Sequence, residues 1–204
     1  MVISYAIPVC NEYKEIEYLL EYLTQHKREQ DEIVVQCDQG NTTQEVYNVL
    51  KQHSNIKVVE FPLNGDFATF KNNLKDNCSG DYIFQIDADE YPDDYLMEMI
   101  ESIITMNDKV DIFWVPRINT VRGLTQEHCK KWNWRLDPDG RVNFPDYQCR
   151  IMKNVKRIKW KNKVHEVLIG HKTQSPLPAN DEFCILHPKT IERQEQQNEF
   201  YNTL

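Results

Sequence analysis

The sequence predicts an α/β fold: a mostly parallel, Rossmann-like sheet flanked by helices, then a small mixed β region and a C-terminal helix. Three observations carry this expectation. Short apolar runs rich in β-branched and aromatic residues alternate with stretches of helical apolar spacing through residues 1–118. That alternation implies βαβ units, and hence a parallel sheet with helices on both faces. The apolar run Tyr82–Ile86 stops abruptly at Asp87-Ala88-Asp89-Glu90. The acids therefore fall past the C-terminal end of a strand, where open α/β sheets bind ligands. From Asn119 onward the alternation ends and strand-like runs follow one another.

The elements can be justified in order. Val2–Val9 is a β-rich run ending near Pro8, and Ile16, Leu19, Leu20 and Leu23 then fall on one helical face. Glu32–Cys37 reads as the second strand and Thr43–His53 as the second helix, with Val46, Val49 and Leu50 inward. Ile56–Phe61 is the third strand. Asp66–Asn77 is the third helix, with Asp66 as its N-cap. Tyr82–Ile86 is the fourth strand, and Asp93/Asp94 open a helix carrying Leu96, Met97, Ile100, Ile103 and Ile104. Asp111–Ile118 is a strand in which Pro116 marks an edge or an end. Residues 119–147 read as irregular, with Trp132 and Trp134 among charges. Tyr147–Met152 and Arg157–Lys161 read as a hairpin across 153–156. Val164–Ile169 and Phe183–Leu186 are further strands, and Thr190–Leu204 is a polar helix. No linker separates the halves, so 1–204 is expected to form one domain, with 1–118 and 119–204 as its two parts.

Composition narrows the class. With 204 residues, 40% hydrophobic and 27% charged, the chain can bury a sizeable core. Its six cysteines are scattered, with no Cys-x-x-Cys pair, which favours free thiols in a reducing compartment and so a cytoplasmic protein. The first ten residues read as a strand, not a signal peptide, and no apolar run reaches membrane-spanning length. The net charge of −8 is unevenly placed. Residues 1–110 carry 8 basic and 21 acidic side chains, whereas 111–204 carry 16 and 11. Nine Lys/Arg lie between Arg141 and Lys172, against only Asp146 and Glu166. Such a segment either attracts an anionic partner or forms a solvated face.

The motifs exclude several chemistries. No Gly-x-Gly-x-x-Gly follows the first strand and no Gly-x-x-x-x-Gly-Lys-Ser/Thr occurs, which argues against a dinucleotide site and a P-loop. His165-Glu166 is followed by His171, the wrong spacing for a His-Glu-x-x-His zinc site. What remains is acids at the ends of strands one, two and four: Glu12, Asp38 and Asp87–Glu90. On an extended chain Asp87 and Asp89 point to one side. Two convergent carboxylates suit Mg²⁺ or Mn²⁺, with positions left open for phosphate oxygens.

These pieces together resemble family 2 of the glycosyltransferases, which have the GT-A fold. The resemblance rests on Ile7-Pro8-Val9-Cys10-Asn11-Glu12, Asp38, Asn64-Gly65 with Lys71-Asn72, and Gly80 through Glu90. In the second half it rests on Asp146 through Asn154, then Trp160, then Val164-His165-Glu166, similar to bacterial and tailed-phage members. The resemblance implies transfer of a sugar from a nucleoside-diphosphate sugar, expected to be a UDP-sugar, onto an acceptor hydroxyl with inversion. It implies a donor pocket lined by Pro8, Asn11, Glu12, Asp38, Lys71, Asp87, Ala88 and Asp89, and an Mn²⁺ or Mg²⁺ ion held by Asp87 and Asp89, with His187 as third ligand. At Lys71 many members carry Arg; lysine keeps the charge but loses the planar fork. The general base would be Glu166, then Asp146 or His165. The acceptor would be a hydroxymethylated base in phage DNA, which would place the protein in the host cytoplasm, or a surface glycan, lipid carrier or protein. The basic segment makes an anionic acceptor the expectation, contacted by Arg150, Lys153, Lys156, Arg157, Lys159 and Lys161, with Arg157, Lys159 and Lys161 aligned on one strand.

Two competing classes share some of these features. A nucleotidyltransferase also pairs acids on an α/β sheet, but normally carries a Gly-rich basic loop, and Pro8–Lys14 has no glycine. A non-catalytic nucleotide- or glycan-binding module would not require Asp87, Asp89 and Glu166 together. Each candidate also has a structural reading: Asp38 and Glu12 as helix caps, His165 as a packed histidine, His187 as a loop histidine, and Asp146 as a partner of Arg150.

Overall fold

A computed structural model describes residues 1–201, and side chains through residue 199. Its elements run β1 (Ile3–Val9), α1 (Tyr13–His26), β2 (Glu32–Asp38), α2 (Gln44–Leu50), β3 (Lys57–Phe61), α3 (Phe67–Asp76), β4 (Tyr82–Gln85), β5 (Tyr91–Pro92) and α4 (Asp94–Met106). They continue through β6 (Ile112–Arg122), α5 (Gln126–Trp132), β7 (Val142–Lys153), β8 (Lys159–Lys161), β9 (Val167–Ile169), β10 (Gln174–Pro176), β11 (Ile185–Thr190) and α6 (Ile191–Tyr201).

The main sheet has the order β3-β2-β1-β4-β7-β6-β11-β5, with β10 beside the start of β6. Strands β1 to β4 are mutually parallel, as the alternation predicts. β7 runs antiparallel between β4 and β6, so one sheet continues through both halves of the sequence. β11 returns parallel to β6. Pleating sends Ile3, Tyr5, Ile7 and Val9 of β1 to one face, against Leu19, Leu20 and Leu23 of α1. Ala6 faces the other side with Ala68 and Leu74 of α3, Ile83, Met152 and Trp160.

Local chemistry sets where the strands end. Asp66 caps α3 by accepting from the Thr69 amide at 3.0 Å, as expected. Asp93 caps α4 through Tyr95 N at 2.9 Å. Gly80 lies where a Cβ would come within 2.8 Å of the Ser4 amide nitrogen. Its missing side chain lets the chain enter β4 flush against β1. That approach fixes how far β4 runs, and so where Asp87 emerges.

The second half departs from the sequence reading in three places. β6 is longer than Asp111–Ile118, and residues 119–147 contain α5 and the start of β7. β7 does not form a hairpin with the following run: it is buried between β4 and β6, and β8 pairs with β9 instead. The last strand is Ile185–Thr190, beginning two residues later than Phe183 and reaching past His187. For the strands, pairing in a mixed sheet overrides local pattern, because long-range partners decide which runs become central strands; α5 is set locally, by the Thr125–His128 capping box. The expected C-terminal helix is present through Tyr201; residues 202–204 of that expectation lie outside the described residues.

Candidate active site

Three neighbouring strands bring alternate polar side chains onto one face of the sheet. β6 contributes Arg117 and Asn119, β7 contributes Asp146, Gln148 and Arg150, and β11 contributes His187 and Lys189. The register sets Arg117 opposite Asp146 and Asn119 opposite His187. The loop after β4 delivers Asp87 and Asp89 to the same place. A cavity of about 350 Å³ is lined by Asp87, Asp89, Asp146 and His187 among others. A second hollow of about 330 Å³ adjoins it, sharing Asp89 and Lys189 and walled by Arg122, Arg193 and Glu15.

The acids are heavily partnered. Asp87 Oδ2 accepts from Arg150 Nη2 at 2.5 Å, and the same nitrogen reaches Glu90 Oε1 at 2.7 Å. Arg117 Nη1 also donates to Glu90 Oε1 at 2.7 Å. The Glu90 side chain is fully buried, and Arg150 is only 4% exposed. Burial raises the Asp87 carboxyl, but Arg150 and then Lys71 outweigh it and hold the group at about 2. Asp89 is held below the usual carboxylate range: burial opposes ionisation, and His187, Lys189 and Arg193 more than offset it. Burial pushes the Lys189 ammonium down, against the pull of Asp89. Asp146 accepts from Arg117 (2.7 Å), Asn119 (2.9 Å) and Gln148 (2.8 Å), which keep it ionised despite burial.

One chain of hydrogen bonds decides a tautomer. Asn119 Nδ2 donates to Asp146 Oδ2, so the amide oxygen faces His187 Nδ1 at 2.7 Å. A carbonyl oxygen only accepts, so Nδ1 carries the hydrogen. In neutral His187 the lone pair therefore lies on Nε2, which stands 3.4 Å from Asp89 Oδ2. Two acceptors facing each other at that distance call for a cation between them, either a proton or a metal ion. Among the described residues no three His, Cys, Asp or Glu side chains converge as a complete metal cage. The Asp89–His187 pair nevertheless offers the oxygen and nitrogen donors that Mn²⁺ or Mg²⁺ accept, with Asp87 beside it.

The remaining expected residues are placed as follows. Pro8 lies on β1, Ala88 is buried between the two aspartates, and Asp38 is buried at the end of β2. Asp38 does not cap α2; it accepts from Leu63 N at 2.9 Å and Asn41 Nδ2 at 3.0 Å, tying two loops together. Glu12 reaches back to the amides of Cys10 and Asn11, both at 2.9 Å, and Arg193 of α6 bonds to it. Lys71 stands on α3, its Nζ 4.7 Å from the Trp160 ring centroid and ion-paired with Glu166. Glu166 does not line the cavity, and His165 is exposed in a loop at φ 55°. The structural pairing expected between Asp146 and Arg150 is absent; each pairs elsewhere.

The basic segment is corrected most. Arg150 is buried beneath Asp87 and Glu90, and Lys153 and Arg157 pair with Asp111. Arg157 precedes β8, so the expected three-residue stripe reduces to Lys159 and Lys161, which with Lys156 are exposed. Sequence reasoning did not assign site positions to Arg117, Asn119, Lys189, Arg193, Gln194 and Gln197. For Arg117, Asn119 and Lys189 the only trace is the spacing of polar residues two apart on β6 and β11; Arg193, Gln194 and Gln197 lie on α6, whose polar sequence marks none of them.

A parallel nucleotide-type sheet with acids at its strand ends, extended by an antiparallel strand and a returning strand that close one cavity, defines an enzyme of the GT-A architecture. The model of glycosyl transferase family 2 matches residues 4–166, and the chain belongs to that family of glycosyltransferases. The structure of S. aureus TarS residues 1–349 superposes with a TM-score of 0.65 at 15% identity, over 92% of this chain and 60% of that one. TarS in complex with UDP-GlcNAc gives 0.64 at 17% identity, over 93% and 59%. The chain thus spans about three-fifths of the length of those structures, and the likeness is one of fold. Comparison with curated protein sequences yields no match. No helix among the described residues is long and apolar enough to cross a membrane.

Proposed function

We propose that this chain is a metal-dependent, inverting glycosyltransferase that moves a sugar from a nucleoside diphosphate, UDP, to an acceptor hydroxyl. The observation that carries the reading is His187, its tautomer held by Asn119, facing Asp89, with Asp146 joined to it through the same Asn119 on one cavity wall. The TarS complexes with UDP and with UDP-GlcNAc support UDP as the nucleotide on this fold.

Asp89 and His187, with Asp87 adjacent, would hold Mn²⁺ or Mg²⁺. When bound, a divalent ion neutralises the charge that grows on the departing diphosphate without proton transfer. Pro8, Asn11, Glu12, Asp38 and Ala88 would line the nucleoside pocket at the ends of β1, β2 and β4. Lys189 would offer its ammonium to a phosphate oxygen and return to Asp89 when the diphosphate leaves. Asp146, on the cavity wall, would take the proton of the attacking hydroxyl. Its three donors hold it ionised and aimed; they also weaken it as a base, so the acceptor must approach within hydrogen-bond reach. Glu166 would act instead through Lys71, setting that ammonium beside Asp87. We read residues 1–204 as one functional unit, and the six free cysteines favour the cytoplasm.

Titration calorimetry of UDP with and without Mn²⁺ tests the reading. Wild-type protein should bind UDP far more tightly with the ion, and Asp89→Ala should abolish that difference while keeping the circular dichroism spectrum. Metal-independent UDP binding, unchanged in Asp89→Ala, would overturn it.

A further inference from the structure

The charged groups on the cavity wall are matched internally: Asp87 by Arg150, Asp89 by His187 and Lys189, Asp146 by Arg117. The groups left over are neutral. Asn143 Oδ1 accepts from Arg135 N at 2.9 Å, while its Nδ2 has no partner among the described residues. Gln197 Oε1 accepts from Lys189 Nζ at 2.5 Å, leaving its amide Nε2 without one. Gln194 Nε2 donates to Asn198 at 2.9 Å, leaving its oxygen, like Gln197 Nε2, without a partner among the described residues. Trp134 adds a half-buried indole, braced by Trp132 at 4.8 Å between ring centroids. All four residues line the cavity.

Resting on the glycosyltransferase reading above, we propose that Trp134, Asn143, Gln194 and Gln197 form the acceptor subsite, and that the acceptor is an uncharged saccharide. Two open amide donors and one open amide acceptor beside an aromatic face match a sugar ring. Its hydroxyls both donate and accept, and its C–H face packs on an indole. Placement on the acceptor side follows from Asp146. Asn143 lies three residues before it on β7, and the Arg135–Asn143 hydrogen bonds fasten the Trp134 segment to that strand. Among the described residues, a carboxylate- or phosphate-bearing acceptor would meet no cation on this wall that is neither paired nor assigned to the donor. A cavity of about 350 Å³ sits low in the ~300–1,000 Å³ range of small-molecule sites, a size that suits sugar rings.

The test uses the full chain and a panel of neutral oligosaccharides, uronate- and phosphate-bearing counterparts, and a double-stranded DNA oligomer. Binding is read by calorimetry in the presence of Mn²⁺ and UDP, and transfer by UDP release from UDP-sugars. Neutral members should bind, and Trp134→Ala should weaken them roughly tenfold with UDP affinity unchanged. Trp134→Phe should restore most of the loss. Asn143→Asp keeps the oxygen that accepts from Arg135, tolerates the left-handed backbone at φ 54°, and removes the open donor of residue 143. It should weaken the same members roughly tenfold without unfolding the chain. Binding confined to anionic saccharides or DNA, no saccharide binding at all, or neutral binding indifferent to both variants would overturn the proposal. Failure of the glycosyltransferase reading has a separate signature, loss of metal-dependent UDP binding in wild-type protein, which leaves saccharide binding measurable by itself.

Discussion

The two halves of the chain hold their functional residues in opposite ways. In residues 1–110 the acids sit beyond strand ends, on loops, where backbone geometry alone delivers them to a crevice. In residues 111–204 the functional groups lie along strand faces, and each depends on the register of its neighbours. The charge imbalance between the halves is the trace of this arrangement. Cations of the second half serve as counterions to acids of the first: Arg150 to Asp87 and Glu90, Arg117 to Glu90, Lys189 to Asp89, and Arg193 to Glu12. Of the cations read as contacts for an anionic acceptor, Arg150 is committed to this pairing inside the protein, and Lys153 and Arg157 pair with Asp111.

The largest expected effect separates the halves by chemistry. If the second half supplies the base from a strand face, Asp146→Asn should lower kcat for transfer by ~10²–10⁴ with UDP affinity nearly unchanged. Glu166→Gln should act mainly on donor binding, because Glu166 touches Lys71 and not the cavity. Steady-state kinetics with UDP release as readout decides. Equal losses of kcat in both variants would return Glu166 to the role of base.

The next effect concerns the counterions. Arg150→Met should destabilise the fold by about 3–5 kcal/mol, since it leaves the fully buried Glu90 short of one partner beside a still ionised Asp87. Urea denaturation measures this. A double variant, Arg150→Met with Asp87→Asn, should recover part of the loss. Recovery would show that the seam between the halves is electrostatic and not merely a matter of packing.

This comparison also explains what could be read from the sequence. The parallel half was legible because a βαβ alternation and an acid-tipped strand are local patterns, visible within a dozen residues each. Asp87, Asp89 and His187 were legible as residue types with a chemistry. Asn119, Lys189 and Gln197 were not, because nothing local distinguishes a site amide or ammonium from a surface one. Only the pairing of β6 with β11 places Asn119 opposite His187. The hairpin expected after Met152 failed for the same reason: β7 is claimed on both edges by β4 and β6, far away in sequence.

The smallest effect tests pairing within the second half, away from the cavity, at Asp111. Its carboxylate is 5% exposed and accepts from the Lys172 amide at 2.7 Å and from Arg157 Nη2 at 2.8 Å, with Lys153 Nζ 3.6 Å away. Burial would raise this group, but the Lys172 amide, Arg157 and Lys153 outweigh it and lower it. A carboxyl whose folded pKa is depressed contributes stability that is fully present above its unfolded value, roughly 4, and is lost as pH falls through the folded value. Asp111→Asn keeps the size and one acceptor but removes the charge, so it should cost about 1–2 kcal/mol at pH 7. The gap from wild type should stay constant down to about pH 5 and close below about pH 4, as the wild-type carboxyl becomes protonated. Thermal denaturation of both proteins across that range reads it directly. A gap that does not change with pH would mean that Asp111 acts by shape and hydrogen bonding alone, and that the charge pairing that matters runs between the halves and not within the second.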